Sequence, residues 1–173
     1  MTLQISQTMP CSVGRIQIKN WAMILFITIS FFYVVLSDND DVTAQSTNTA
    51  DNEFMNNFIG LTNKSGALTS SYQQEVGKWQ NNEYSDTIIM MITNDTIVQI
   101  NNLIDETNNL QVPEKFKDGI SLYTKSLESE RDSYKQFGDF IKTGNPTLNE
   151  TSTDLLTDSL KYEIEAFKAI QNP

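Results

Sequence analysis

Phe116, Ile120, Tyr123, Leu127, Glu130, Tyr134, Phe137 and Ile141 follow one another in alternating steps of four and three. Only a helix gathers residues so spaced on one side, because its period is 3.6 whereas that of a strand is 2. The same spacing recurs upstream and downstream. Phe54, Phe58, Leu61, Leu68, Tyr72, Val76 and Trp79 define a first segment from about Asp51, once Ser65 fills one slot. Tyr84, Ile88, Met91, Ile92, Ile100, Leu103 and Ile104 are the expected inward set of a second, Glu83 to Asn109. Leu148, Leu155, Leu156, Leu160, Ile164, Phe167 and Ile170 define a fourth.

The breaks between segments are short and carry turn chemistry. Asn81 and Asn82 separate the first pair, and Val112-Pro113 restarts the chain with a proline at a first-turn position that needs no amide donor. Lys142, Gly144 and Asn145-Pro146 supply a basic last turn, a left-handed stop and a new cap. Long amphipathic helices with short links must run antiparallel to their neighbours. The fold class expected is therefore all-α, an up-down antiparallel four-helix bundle over residues 51–171. Gly60, Gly66 and Gly77 weaken the first segment, so a break near Lys64 to Gly66 and a three-helix bundle with a broken first helix is the alternative.

The run from Val112 to Ile170 combines a Pro-started helix with Tyr and Phe in its stripe, a Gly-Asn-Pro turn and a final amphipathic helix. In this it resembles the second half of uncharacterised extracytoplasmic helical-bundle domains of prokaryotes. The resemblance covers residues 112–170 and implies a helical domain outside the membrane; it brings no catalytic residue and no cofactor.

Trp21 to Leu36 is a different kind of segment: sixteen residues without a charge, ten of them Leu, Ile, Phe or Val. As a helix it would extend about 24 Å, which snorkelling Lys19 and local thinning can match to a bilayer core. A retained transmembrane signal-anchor over 20–37 is expected, with a short cytoplasmic tail over 1–19 and a flexible acidic, polar tether over 38–50. Arg15 and Lys19 precede the span and no cation follows it closely, which keeps the N-terminus cytoplasmic and sends the C-terminal domain out of the cell. Trp21 and Tyr33 are the expected interfacial residues. Cleavage near Ala44, giving a secreted protein, is the alternative. Thr87 to Ile100 is apolar too, but Asn94 and Asp95 interrupt it, so it reads as a core helix.

Charge narrows the partners. Residues after Leu36 hold 10 basic and 22 acidic side chains, a net −12. Such a body repels nucleic acid and anionic headgroups. The lipid bilayer and a protein or envelope component are the expected partners, and the sequence leaves the oligomeric state open.

Chemistry is scarce. The chain has no His, and its one Cys, Cys11, precedes the apolar run, so the outer domain holds no disulfide. Ser126 beside Lys125 is the nearest approach to a Ser-Lys pair, but neighbours on a helix point about 100° apart. Asp38 to Asp41 lacks the glycine and terminal Glu of a calcium loop. Glu130 alone interrupts an apolar stripe; the simplest expectation puts it at the stripe's edge with its carboxylate in water, the other buries it facing a ligand. No catalytic, metal or cofactor site is assigned, and the chain reads as a non-enzyme. Asn63, Asn94 and Asn149 stand in N-x-S/T sequons, with Asn63 and Asn149 expected near helix breaks. The function expected is a non-enzymatic, single-pass membrane protein with an extracytoplasmic helical interaction or envelope domain. A small-molecule-binding sensory domain acting with a partner is the second reading.

Overall fold

The structure is a computed structural model that describes residues 49–173. The expected tail, anchor and most of the tether, including Arg15, Lys19, Trp21 and Tyr33, lie outside the described residues. Within them the chain is all helical: α1 (Thr49–Gln80), α2 (Asp86–Asn108), α3 (Lys117–Thr143) and α4 (Pro146–Gln171), with a single 3-10 turn (Glu114–Phe116) before α3. Among the described residues no helix is long and apolar enough to cross a membrane.

The caps explain the boundaries. Asn82 takes a left-handed conformation, φ 64°, while the Glu83 amide donates to Lys78 O and the Asn82 amide to Trp79 O, the paired bonds of a Schellman stop. Ser85 then caps α2, and Trp79 Nε1 donates to Asp86 Oδ1 at 2.8 Å across the corner. Gly144, φ 70°, ends α3 with its amide on Phe140 O, and Asn145 Oδ1 accepts the Thr147 amide to start α4 behind Pro146.

Contacts between helices fix the topology. Lys64 meets Glu106, and Tyr72 meets Thr93, so α1 and α2 are antiparallel. Ser126 meets Ser159, and Ser133 meets Ser152, so α3 and α4 are too. Across the bundle α1 and α3 run parallel and are joined by aromatic pairs: Phe54–Phe116 stacked at 4.7 Å, Phe58–Tyr123 edge-on at 5.1 Å, Tyr72–Tyr134 at 4.3 Å and Trp79–Phe137 edge-on at 5.7 Å. Each contributes about 0.5–1.5 kcal/mol beyond its buried area.

α1 is continuous, as the four-helix expectation has it, and the alternative with a break near Lys64 to Gly66 is not what the structure shows. A Cβ at Gly60, Gly66 or Gly77 would meet nothing, so these glycines cost helix propensity alone. Eight buried residues along 32 positions outweigh that cost.

Two inward faces also differ from expectation. On α4 the buried positions are Ser152, Leu156, Ser159, Ala166 and Ile170, while Ile164 is exposed. Small residues repeat every seven on both partners, Gly119, Ser126 and Ser133 on α3 against Ser152, Ser159 and Ala166 on α4. They let the two helices approach closely; a Cβ on Gly119 would stand 2.7 Å from Ile170 Cδ1 and 3.2 Å from Ala166 O. On α2 the buried face is Ile89, Thr93, Thr96, Ile100, Leu103, Ile104 and Thr107. Ile88 and Met91, expected inside, are outside.

Candidate functional site

The reversal of α2 follows from hydrogen bonding. Thr93 Oγ1 donates to Ile89 O, Thr96 Oγ1 to Ile92 O and Thr107 Oγ1 to Leu103 O, each to its own helix one turn back. A threonine so satisfied can bury its methyl group without an orphaned hydroxyl. The inward stripe is therefore built partly of Thr, and the larger apolar side chains Ile88, Met91 and Val98 are left on the opposite face, 43%, 67% and 57% exposed. With Asp95 and Asn102 between and beyond them they keep steps of three and four along one outer stripe. Three of the four large hydrophobic residues exposed among the described residues belong to this stripe.

Towards its C-terminal end the stripe runs into an open groove of about 620 Å³ between α1 and α2, whose walls include Asn57, Gly60, Lys64, Asn102, Asp105 and Glu106. Gly60 contributes by having no side chain there. α2 contains Asp86, Asp95, Asp105 and Glu106 and not one Lys or Arg. Two of those acids occupy its last turns, where the helix dipole favours cations instead. Lys64 of α1 compensates with a 2.6 Å bond to Glu106, in a pair whose side chains are 61% and 46% exposed.

A second polar feature lies inside. Glu130 is 6% exposed, which corrects the expectation that its carboxylate reaches water. Tyr134 donates to its Oε1 at 2.6 Å and Thr69 Oγ1 of α1 lies 2.7 Å from the same oxygen. Burial pushes the Glu130 carboxyl up against the opposing effect of these two hydrogen bonds. Glu163, half-buried on α4, is pushed up to about 7 by burial and by the charge of Glu130. The Tyr123 hydroxyl is buried without a completed hydrogen bond, and burial raises it well above the usual phenol range. Among the described residues no three His, Cys, Asp or Glu groups come together to hold a metal ion. Glu130 is thus a buried acid held by two hydroxyls, with Glu163 of α4 near enough to feel its charge.

Ser126 shares its hydroxyl with Ser159 at 3.2 Å while Lys125 stands in solvent, so the two do not meet. Asn63 is exposed but sits mid-helix in α1, not at a break, and the Ser65 of its sequon is buried. Asn94 is exposed with Thr96 turned inward, and Asn149 is half-buried in the first turn of α4 with its Oδ1 enclosed. Asn94 lies on the outer face of α2 between Met91 and Val98, three residues from one and four from the other, whereas Asn63 and Asn149 are on other helices.

No protein-family model, no curated protein and no solved structure matches this chain.

Proposed function

We propose that this chain is a membrane-tethered helical interaction module without catalytic activity, its bundle presented outside the cell. The observation that carries the reading is α2, on whose outer face the bundle leaves three large apolar residues, Ile88, Met91 and Val98, exposed among polar ones. That face calls for a partner. The uncharged Trp21–Leu36 run behind two cations supports the tether and its orientation.

Photocrosslinking residues placed at Met91 and Val98 in living cells test it. Discrete adducts from both, with none from an equivalent residue at exposed Asp154 of α4, are expected. Equal yields at all three positions, or none, contradict the reading.

The second reading, a sensory domain for small molecules, draws on the α1–α2 groove. Its walls are mostly amides and charged side chains, with Leu61 and Leu110 and no aromatic residue, and it is open, which favours an extended polar contact over an enclosed ligand.

A further inference from the structure

The outward face of α2 and the adjoining end of the α1–α2 groove form one continuous surface, apolar at one end and acidic at the other. Ile88, Met91 and Val98 occupy the first half, and Asp105 and Glu106 the second. From residue 88 to residue 106 the surface extends about 27 Å, five helical turns.

We propose that this surface docks a cationic amphipathic helix, laid along α2 with its apolar stripe on Ile88, Met91 and Val98 and its Lys or Arg residues reaching Asp105 and Glu106. The inference rests on the interaction-module reading and adds the chemistry of the partner. Charge complementarity selects the occupant. α2 offers four acids and no base, and two of the acids, Asp105 and Glu106, stand at the end whose dipole already attracts cations. The single cation on the groove wall, Lys64, is held in an exposed, solvent-screened ion pair, which is weak and yields readily to an incoming Lys or Arg. A second copy of α2 would instead set Asp95, Asp105 and Glu106 against like charges, and an anionic lipid surface meets the same repulsion. A helix is favoured over an extended peptide because Ile88, Met91 and Val98, at i, i+3 and i+10 with Asp95 in the slot between, lie along one helical stripe that the anchors of a second helix can follow.

The test uses the full-length chain in neutral-lipid nanodiscs, empty nanodiscs as blank, and a fluorescent amphipathic Leu/Lys peptide about 18 residues long. A Leu/Glu peptide of the same pattern is the control. Binding of the first and not the second is expected. Met91→Glu with Val98→Glu makes the chain more acidic, so bulk attraction would strengthen, whereas docking on the stripe weakens by about tenfold or more. Asp105→Asn with Glu106→Gln lowers affinity and flattens its salt dependence. Both pairs replace exposed side chains, and unchanged thermal melts confirm that the bundle is intact.

No binding of the Leu/Lys peptide, or binding indifferent to both pairs of substitutions, overturns the proposal. So does concentration-dependent dimerisation abolished by Met91→Glu, which assigns the stripe to a second copy. If the peptide fails while crosslinks from Met91 persist in cells, the partner's chemistry is wrong and the interaction reading stands; if both fail, both fall.

Discussion

Tyr134 donates a 2.6 Å hydrogen bond to Glu130 Oε1, one turn back on the same helix, and Thr69 of α1 reaches that oxygen at 2.7 Å. Thr69 Oγ1 also lies 3.0 Å from Ser65 O, and a hydroxyl has one proton to give. Thr69 therefore shares its one proton between two acceptors, Ser65 O and Glu130 Oε1. Glu130 thus ties α1 to α3 through two hydroxyls, while burial raises its carboxyl above the ordinary range.

Glu130→Gln keeps both a donor and an acceptor and is expected to change unfolding free energy by no more than about 1 kcal/mol. Glu130→Ala leaves the Tyr134 hydroxyl orphaned beside a cavity and costs about 2–3 kcal/mol or more. Urea melts of the two variants check the contrast. Equal losses would mean that the hydrogen bonds contribute nothing.

Stability falls as pH rises through weakly acidic values. Glu130 and Glu163 hold their protons to higher pH in the fold than in the unfolded chain. The folded state therefore binds protons that the unfolded state has released, and stability declines from the ordinary Glu value of 4.5 up to about 7 for Glu163. Below that window both states are protonated and this loss is absent. For the partly exposed Glu163 the change is on the order of 2 kcal/mol. Glu163→Gln should flatten the profile between pH 5 and 7 in thermal melts; a profile rising with pH in the parent chain would refute the assignment.

The glycines divide by what surrounds them. Gly66→Ala adds a methyl group to open space in a helix and should stabilise by about 0.5–1 kcal/mol. Gly119→Ala pushes into Ile170 and towards Ala166 O and should cost about 1–3 kcal/mol. Parallel denaturation curves with opposite shifts are the expected result.

Helix number, the Asn82 and Gly144 stops and the stripes of α1 and α3 were legible because large apolar or aromatic residues and turn residues marked them. The α2 and α4 faces were not, for a shared reason. Their inward positions are occupied by Thr, Ser and Ala, which count as polar or neutral in a hydropathy pattern but become good interior residues once hydroxyls bond to backbone. The sevenfold repeat of small residues at 119, 126, 133 and 152, 159, 166 was available as a signal of close helix approach. Ile88, Met91 and Val98 could then have been recognised as surplus. Glu130 was legible as an anomaly in its stripe, but its burial depends on Thr69, 61 positions away, which no local pattern reveals.

The membrane reading predicts a topology. Trypsin added to intact cells should digest residues beyond the tether and spare the N-terminal tail carrying Arg15 and Lys19. Digestion of the bundle only after lysis would place it on the other side.

The central claim, that the outer face of α2 is covered in its working setting, is read most directly at Met91. Methionine oxidises readily when solvent reaches it, and Met91 is 67% exposed in the isolated bundle. Oxidative footprinting of intact cells against the purified full-length chain should show Met91 protected in cells, with the half-buried Met55 and Met90 of the same chain changing little. Met91 oxidised as fast in cells as in the purified protein would contradict the account.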